Sequence, residues 1–157
     1  MPRASQPTVI VIVAVVFIGL SMSMANAKTL INKSFFGGVA IEGADPVAYR
    51  LQGKRVDGDK GITAEYRGAV WRFASTAHRD LFLANPGKYA PAYGGYCAWA
   101  VSQGYIASID PDAWKVVDGV LYLNYSKGVQ RTWERDIEGN IAAANKNWPN
   151  IRADLTR

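Results

Sequence analysis

One histidine and one cysteine in 157 residues exclude two function classes at once. A disulfide-knitted scaffold needs cysteines in pairs, and a zinc finger needs four ligands from one chain. Methionine is equally scarce. Its three copies, Met1, Met22 and Met24, all fall in the first stretch of chain, so the remainder offers no thioether to a soft metal. Nor is positive charge concentrated. Lys54, Arg55 and Lys60 alternate with Asp57 and Asp59, which describes a solvated loop and not a phosphate-tracking surface; no nucleic-acid partner is expected. Phosphate loop, dinucleotide fingerprint, haem attachment pair and metalloprotease helix are all missing, so no enzymatic activity is expected.

What is present is a globular composition, 49% hydrophobic and 20% charged, long enough for one domain. Residues 1–27 read as a cleavable secretory signal. Arg3 supplies the positive region, Val9 to Leu20 is apolar, and Ala25-Asn26-Ala27 places small residues at a cut before Lys28. The apolar run falls short of the roughly 20 residues that span a hydrocarbon core, so no stable membrane anchor remains after cleavage. The expected location is periplasmic or secreted. Residues 28–157 keep 17 basic and 13 acidic side chains, a net charge of +4.

The mature chain reads as α+β: two small antiparallel β-hairpins packed with short helices and a C-terminal amphipathic helix. Phe36 to Ile41 suggests a short strand that enters the Gly43-Ala44-Asp45-Pro46 turn, and Gln52 to Gly61 a surface loop. Ile62 to Tyr66 and Ala69 to Phe73 form the first hairpin around Arg67-Gly68, with Ala69, Trp71 and Phe73 on one face. Ser75 caps a helix that ends at Asn85-Pro86 and carries His78 and Phe82 on one side. Cys97 to Ser102 suggests a short helix stopped by Gly104. Asp118-Gly119 joins a second hairpin, Trp114 to Val117 with Val120 to Tyr125. Ser126 then caps a helix whose Val129, Trp133, Ile137 and Ile141 form one apolar stripe, with Gly139 a candidate bend. No tandem repeat is visible, so a single domain over residues 28–157 is expected, with an unstructured extreme C-terminus.

Two kinds of site follow. His78 and Cys97 are an imidazole and a thiol, donors suited to copper or zinc if they meet in space. Alternatively Trp71, Tyr93, Tyr96 and Trp99 line an apolar ligand cleft. Asp45 and Asp110 precede prolines and are turn formers before they are ligands.

Asp45-Pro46-Val47-Ala48-Tyr49, Trp71-x-Phe73-x-Ser75-x-x-His78-x-x-x-Phe82, Asn85-Pro86, Tyr93-Gly94-Gly95-Tyr96-Cys97-Ala98, Asp110-Pro111-x-x-Trp114, Leu121 to Tyr125 and Asn147-Trp148-Pro149 together resemble the YHS domain family. The longer pattern is similar to exported, single-domain bacterial members. Some relatives are attached to copper or heavy-metal transporting ATPases and carry cysteines at positions that are Ala48, Ala74 and His78 here. The resemblance thus implies an exported, non-enzymatic module that binds or responds to a metal ion, or one that meets a periplasmic protein partner; of the three positions only His78 retains a donor.

Overall fold

The computed structural model describes residues 29–157; the signal-peptide reading lies outside them. The elements in chain order are α1 (Pro46–Leu51), β1 (Asp59–Tyr66), β2 (Ala69–Phe73), α2 (Thr76–Ala84), α3 (Pro86–Tyr89), α4 (Ala98–Ser102), β3 (Asp110–Val117), β4 (Val120–Asn124), α5 (Lys127–Trp133) and α6 (Ile137–Leu155). Each sheet is one antiparallel hairpin, β1 with β2 and β3 with β4. The α+β architecture is as read from the sequence. No helix among the described residues is long and apolar enough to cross a membrane.

Side-chain alternation builds the first hairpin: Ala69, Trp71 and Phe73 are buried on β2, as the period of two requires. Phe82 from α2 closes over them, its ring centroid 5.2 Å from those of both Trp71 and Phe73. In the second hairpin Tyr122 meets Trp133 of α5 at 5.3 Å and an interplanar angle of 34°. The Trp71–Phe82 pair has almost the same geometry, 5.2 Å and 33°.

That match extends through the chain. Shifted by 51 residues, β1 (Asp59–Tyr66) lies on β3 (Asp110–Val117) and β2 (Ala69–Phe73) on β4 (Val120–Asn124). Both hairpins are irregular at the same place, between Asp59 and Thr63 and between Asp110 and Trp114. Their turns, Arg67-Gly68 and Asp118-Gly119, share φ values of 50° then 73° and 50° then 76°. Ser75 and Ser126 each accept the amide N–H three residues on, from His78 and Val129. Even the entry is shared: α1 and α4 each precede the hairpin, behind a left-handed turn with Glu42 at φ 55° and Tyr93 at φ 54°. The molecule is therefore two copies of one α-β-β-α unit, followed by α6. The expectation of no repeat is corrected.

Other boundaries differ from the sequence reading for identifiable reasons. Asp45-Pro46, read as a turn, starts α1, because Asp at an N-cap followed by Pro at the first helical position is also a helix start. Phe35 to Gly38 is a turn, and Val39 and Ala40 make only isolated bridges. The Val129 to Ile141 stripe is split by a 3-10 turn at Glu134–Asp136, after which Asp136 caps α6 by accepting the Gly139 amide. A Cβ on Gly139 would clash with the Asp136 carboxylate, so this glycine makes room for the cap. The C-terminus is helical to Leu155, where the buried Leu155 joins the Trp133 cluster.

Candidate functional site

Asp45 is a wholly buried acid fixed by the start of α1. Its Oδ1 accepts the amides of Val47 at 2.8 Å and Ala48 at 3.3 Å, and its Oδ2 accepts the Ala74 amide at 2.8 Å. The same Oδ2 lies 2.6 Å from Nδ1 of His78. With a carboxylate oxygen as acceptor, Nδ1 carries a proton and Nε2 points away from the acid. Nε2 faces the exposed Gln52 amide at 3.5 Å. Ser75 aims the imidazole by capping α2 at the His78 amide, so one helix start and one hairpin end converge on one carboxylate.

Cys97 occupies the corresponding place in the second unit, at an offset of 52 because one extra residue separates Tyr93 from the start of α4. It is the N-cap of α4, as Asp45 is of α1, and its amide donates to Ala107 as that of Asp45 donates to Val56. Its sulfur accepts the amide of Tyr125, the counterpart of Ala74, while the Trp99 amide donates to Oδ1 of Asn124. The Tyr125 contact is 3.3 Å. Burial pushes the thiol above its ordinary value, against the opposing pull of the nearby Trp99, Ala100 and Tyr125 N–H groups. The S–H faces Oδ1 of Asn124 at 3.8 Å. Where the first unit carries His78, the second carries Val129.

Valine is smaller than histidine, and a space opens there. A cavity of about 210 Å³ is lined by Cys97, Trp99, Tyr105, Ala107, Tyr125 and Val129, with Ala100. Trp99 and Tyr105 meet edge to face, their centroids 6.4 Å apart, and Tyr105 and Tyr125 remain exposed at the rim. Of the aromatic residues proposed from sequence, Trp99 alone lines this cavity. Trp71 is fully buried in the first core, its Nε1 donating to the Tyr66 carbonyl. Tyr96 donates its hydroxyl to the Thr29 carbonyl. Tyr93 donates to Asn145 and borders a separate cavity of about 270 Å³ beside Trp148, Arg67 and Arg152. Tyr105 was not singled out from sequence, and Tyr125 and Val129 were read only as parts of the second hairpin and of the helix stripe; their place at the cavity becomes visible once the 51-residue correspondence brings Ala74 and His78 onto them.

His78 and Cys97 share no hydrogen-bond partner: both ring nitrogens are turned to Asp45 and Gln52, and the sulfur to Asn124 and Tyr125. Among the described residues no group of three or more His, Cys, Asp or Glu side chains is placed to hold a metal ion. A buried, protonated thiol is also a poor partner for copper or zinc, because the thiolate is the ligand. Comparisons of the chain with protein-family models, with curated proteins and with solved structures return no match.

Proposed function

We propose that this chain is an exported, non-enzymatic binding module of YHS type that takes a small apolar ring in the cavity over Cys97. The observation that carries the reading is the cavity itself, lined by the aromatic rings of Trp99, Tyr105 and Tyr125 and by the buried Cys97. Its volume of about 210 Å³ exceeds the roughly 150 Å³ in which a dry apolar cavity holds benzene. Filling it is the test. Toluene, titrated while amide spectra are recorded, should shift Trp99, Tyr105 and Tyr125 saturably, and Val129→Phe should abolish the shift. Shifts confined to other residues would sink the reading.

The Asp45–His78 pair favours a second reading, a metal-responsive patch. A carboxylate behind an imidazole fixes the tautomer and strengthens the outward nitrogen as a ligand. One imidazole cannot complete a coordination shell, so this reading calls for further donors from a second chain or a partner. It predicts zinc or copper binding that His78→Ala removes and Cys97→Ser leaves intact, measured by competition with a chromophoric chelator. Equal binding by all three proteins would dismiss it.

A further inference from the structure

The cavity of about 270 Å³ beside Trp148 is assembled from four parts of the chain. The first hairpin brings Tyr66 and the turn residue Arg67, the entry to the second unit brings Tyr93, α6 brings Trp148 and Arg152, and the N-terminal segment closes it with Leu30. Seams between structural units are favoured places for ligand cavities. It shares no lining residue with the cavity over Cys97, so neither site depends on the other.

Its walls are aromatic and its charge has one sign. Tyr93 and Trp148 meet with ring centroids 5.8 Å apart at 61°, and the Tyr93 hydroxyl is already committed to Asn145. Arg67 sets its guanidinium over the Tyr66 ring, 5.2 Å from the centroid. Arg152 follows Trp148 by four residues on α6, which puts the two on one helix face. Both arginines are exposed, and neither makes an ion pair among the described residues. No Asp or Glu is among the residues that line the cavity. Two cations at one apolar-walled cavity repel each other, and a bound anion turns that repulsion into attraction to both.

The hairpin turn does not itself call for an arginine. Arg67 sits at φ 50°, a left-handed conformation that Asn and Asp adopt far more readily. The equivalent position of the second hairpin carries Asp118, also at φ 50°. An unfavoured residue thus occupies the one turn position that borders this cavity.

We infer that the cavity binds an aryl carboxylate, one aromatic ring with a carboxylate on a short tail. A dry apolar cavity of roughly 150 Å³ holds benzene, so about 270 Å³ takes one ring with a short polar tail and falls below the roughly 300 Å³ at which drug-sized ligands begin. The ring rests among Tyr66, Tyr93 and Trp148. The carboxylate faces Arg67 and Arg152, whose planar forks match its two oxygens.

The experiment titrates four probes into the full chain and follows amide spectra: phenylacetate, its uncharged isostere phenylacetamide, acetate and inorganic phosphate. Phenylacetate should shift Tyr93, Gly94 and Trp148 saturably and bind at least about tenfold more tightly than phenylacetamide, the lower worth of a hydrogen bond to a charged group. Acetate and phosphate lack the ring and should bind at least about tenfold more weakly than phenylacetate. Arg67→Asn suits the left-handed turn, so it keeps the hairpin while removing one cation; it should weaken phenylacetate about tenfold and leave phenylacetamide unchanged. Arg152→Gln, on an exposed helix position, should do the same. Phenylacetamide binding as tightly as phenylacetate, or parent affinity in both variants, overturns the role of the arginines. Acetate or phosphate binding as tightly as phenylacetate overturns the aryl assignment. Absence of a saturable shift, or shifts confined to Trp99, Tyr105 and Tyr125, overturns the site.

Discussion

Asp45 carries more of the structure than its position in a turn-forming dipeptide suggests. Its two oxygens satisfy three backbone amides from α1 and the end of β2, and they hold His78 from α2. Removing it leaves several buried donors without partners, and each such donor is costly. Asp45→Ala should therefore destabilise the fold by about 3 to 5 kcal/mol, the scale of a broken buried pair. His78→Ala removes only one of the four partners and should cost about 2 kcal/mol. Urea midpoints at unchanged slope provide the comparison; a milder loss in Asp45→Ala than in His78→Ala would show that the imidazole, and not the carboxylate, is the hub.

At the scale of elements, the sequence exposes what local chemistry controls. Asp118-Gly119 marks a hairpin because its backbone needs positive φ at both turn residues, and Ser75 and Ser126 mark helix starts because a free amide needs an oxygen. These signals are short-ranged and survive in any context. The repeat was hidden because the identities that remain, Gly43 with Gly94, Gln52 with Gln103, Gly53 with Gly104, Asp59 with Asp110, Gly68 with Gly119 and Ser75 with Ser126, lie at turns and caps, where such residues are common in unrelated folds. Between them the core has been exchanged: Trp71 for Tyr122, Phe73 for Asn124, Phe82 for Trp133. Volume changes of that size are absorbed by repacking against different neighbours, so the backbone correspondence persists without a residue pattern. For the same reason the Cys97 cavity was illegible: it depends on the absence of a ring at Val129, which a sequence records only as an ordinary apolar residue. Equivalent caps predict equivalent costs. Ser75→Ala and Ser126→Ala should each lower stability by about 1 kcal/mol, with nearly additive loss in the double variant. If thermal or urea denaturation shows one cap to be silent, the two units are alike in trace but not in energetics.

The whole molecule has one pH-dependent property that several groups set together. Burial raises the phenols of Tyr49, Tyr93 and Tyr122 and the thiol of Cys97 above their ordinary values. Tyr49 and Tyr93 are the most strongly affected; their hydroxyls are committed to the Pro111 carbonyl at 2.7 Å and the Asn145 side chain at 2.9 Å. All four groups are neutral in folded and unfolded chains at pH 7, so they give stability no slope there. As pH rises past the ordinary thiol and phenol values of about 8.5 and 10, the unfolded chain releases protons that the folded chain retains. The unfolded state then binds fewer protons, and stability falls with pH. Each group still fully protonated in the fold and ionised in the unfolded chain contributes about 1.4 kcal/mol per pH unit, so Tyr49 and Tyr93 alone give a fall of about 2.7 kcal/mol per unit above pH 10. Urea midpoints measured from pH 7 to 11 should hold level to about pH 8.5 and then drop steeply. Tyr93→Phe, which keeps the ring between Tyr122 and Trp148, should lower stability at pH 7 through the lost Asn145 bond yet flatten the alkaline limb. A limb as steep in Tyr93→Phe as in the parent chain would mean that this phenol ionises without unfolding and that the second core admits water at the Asn145 contact.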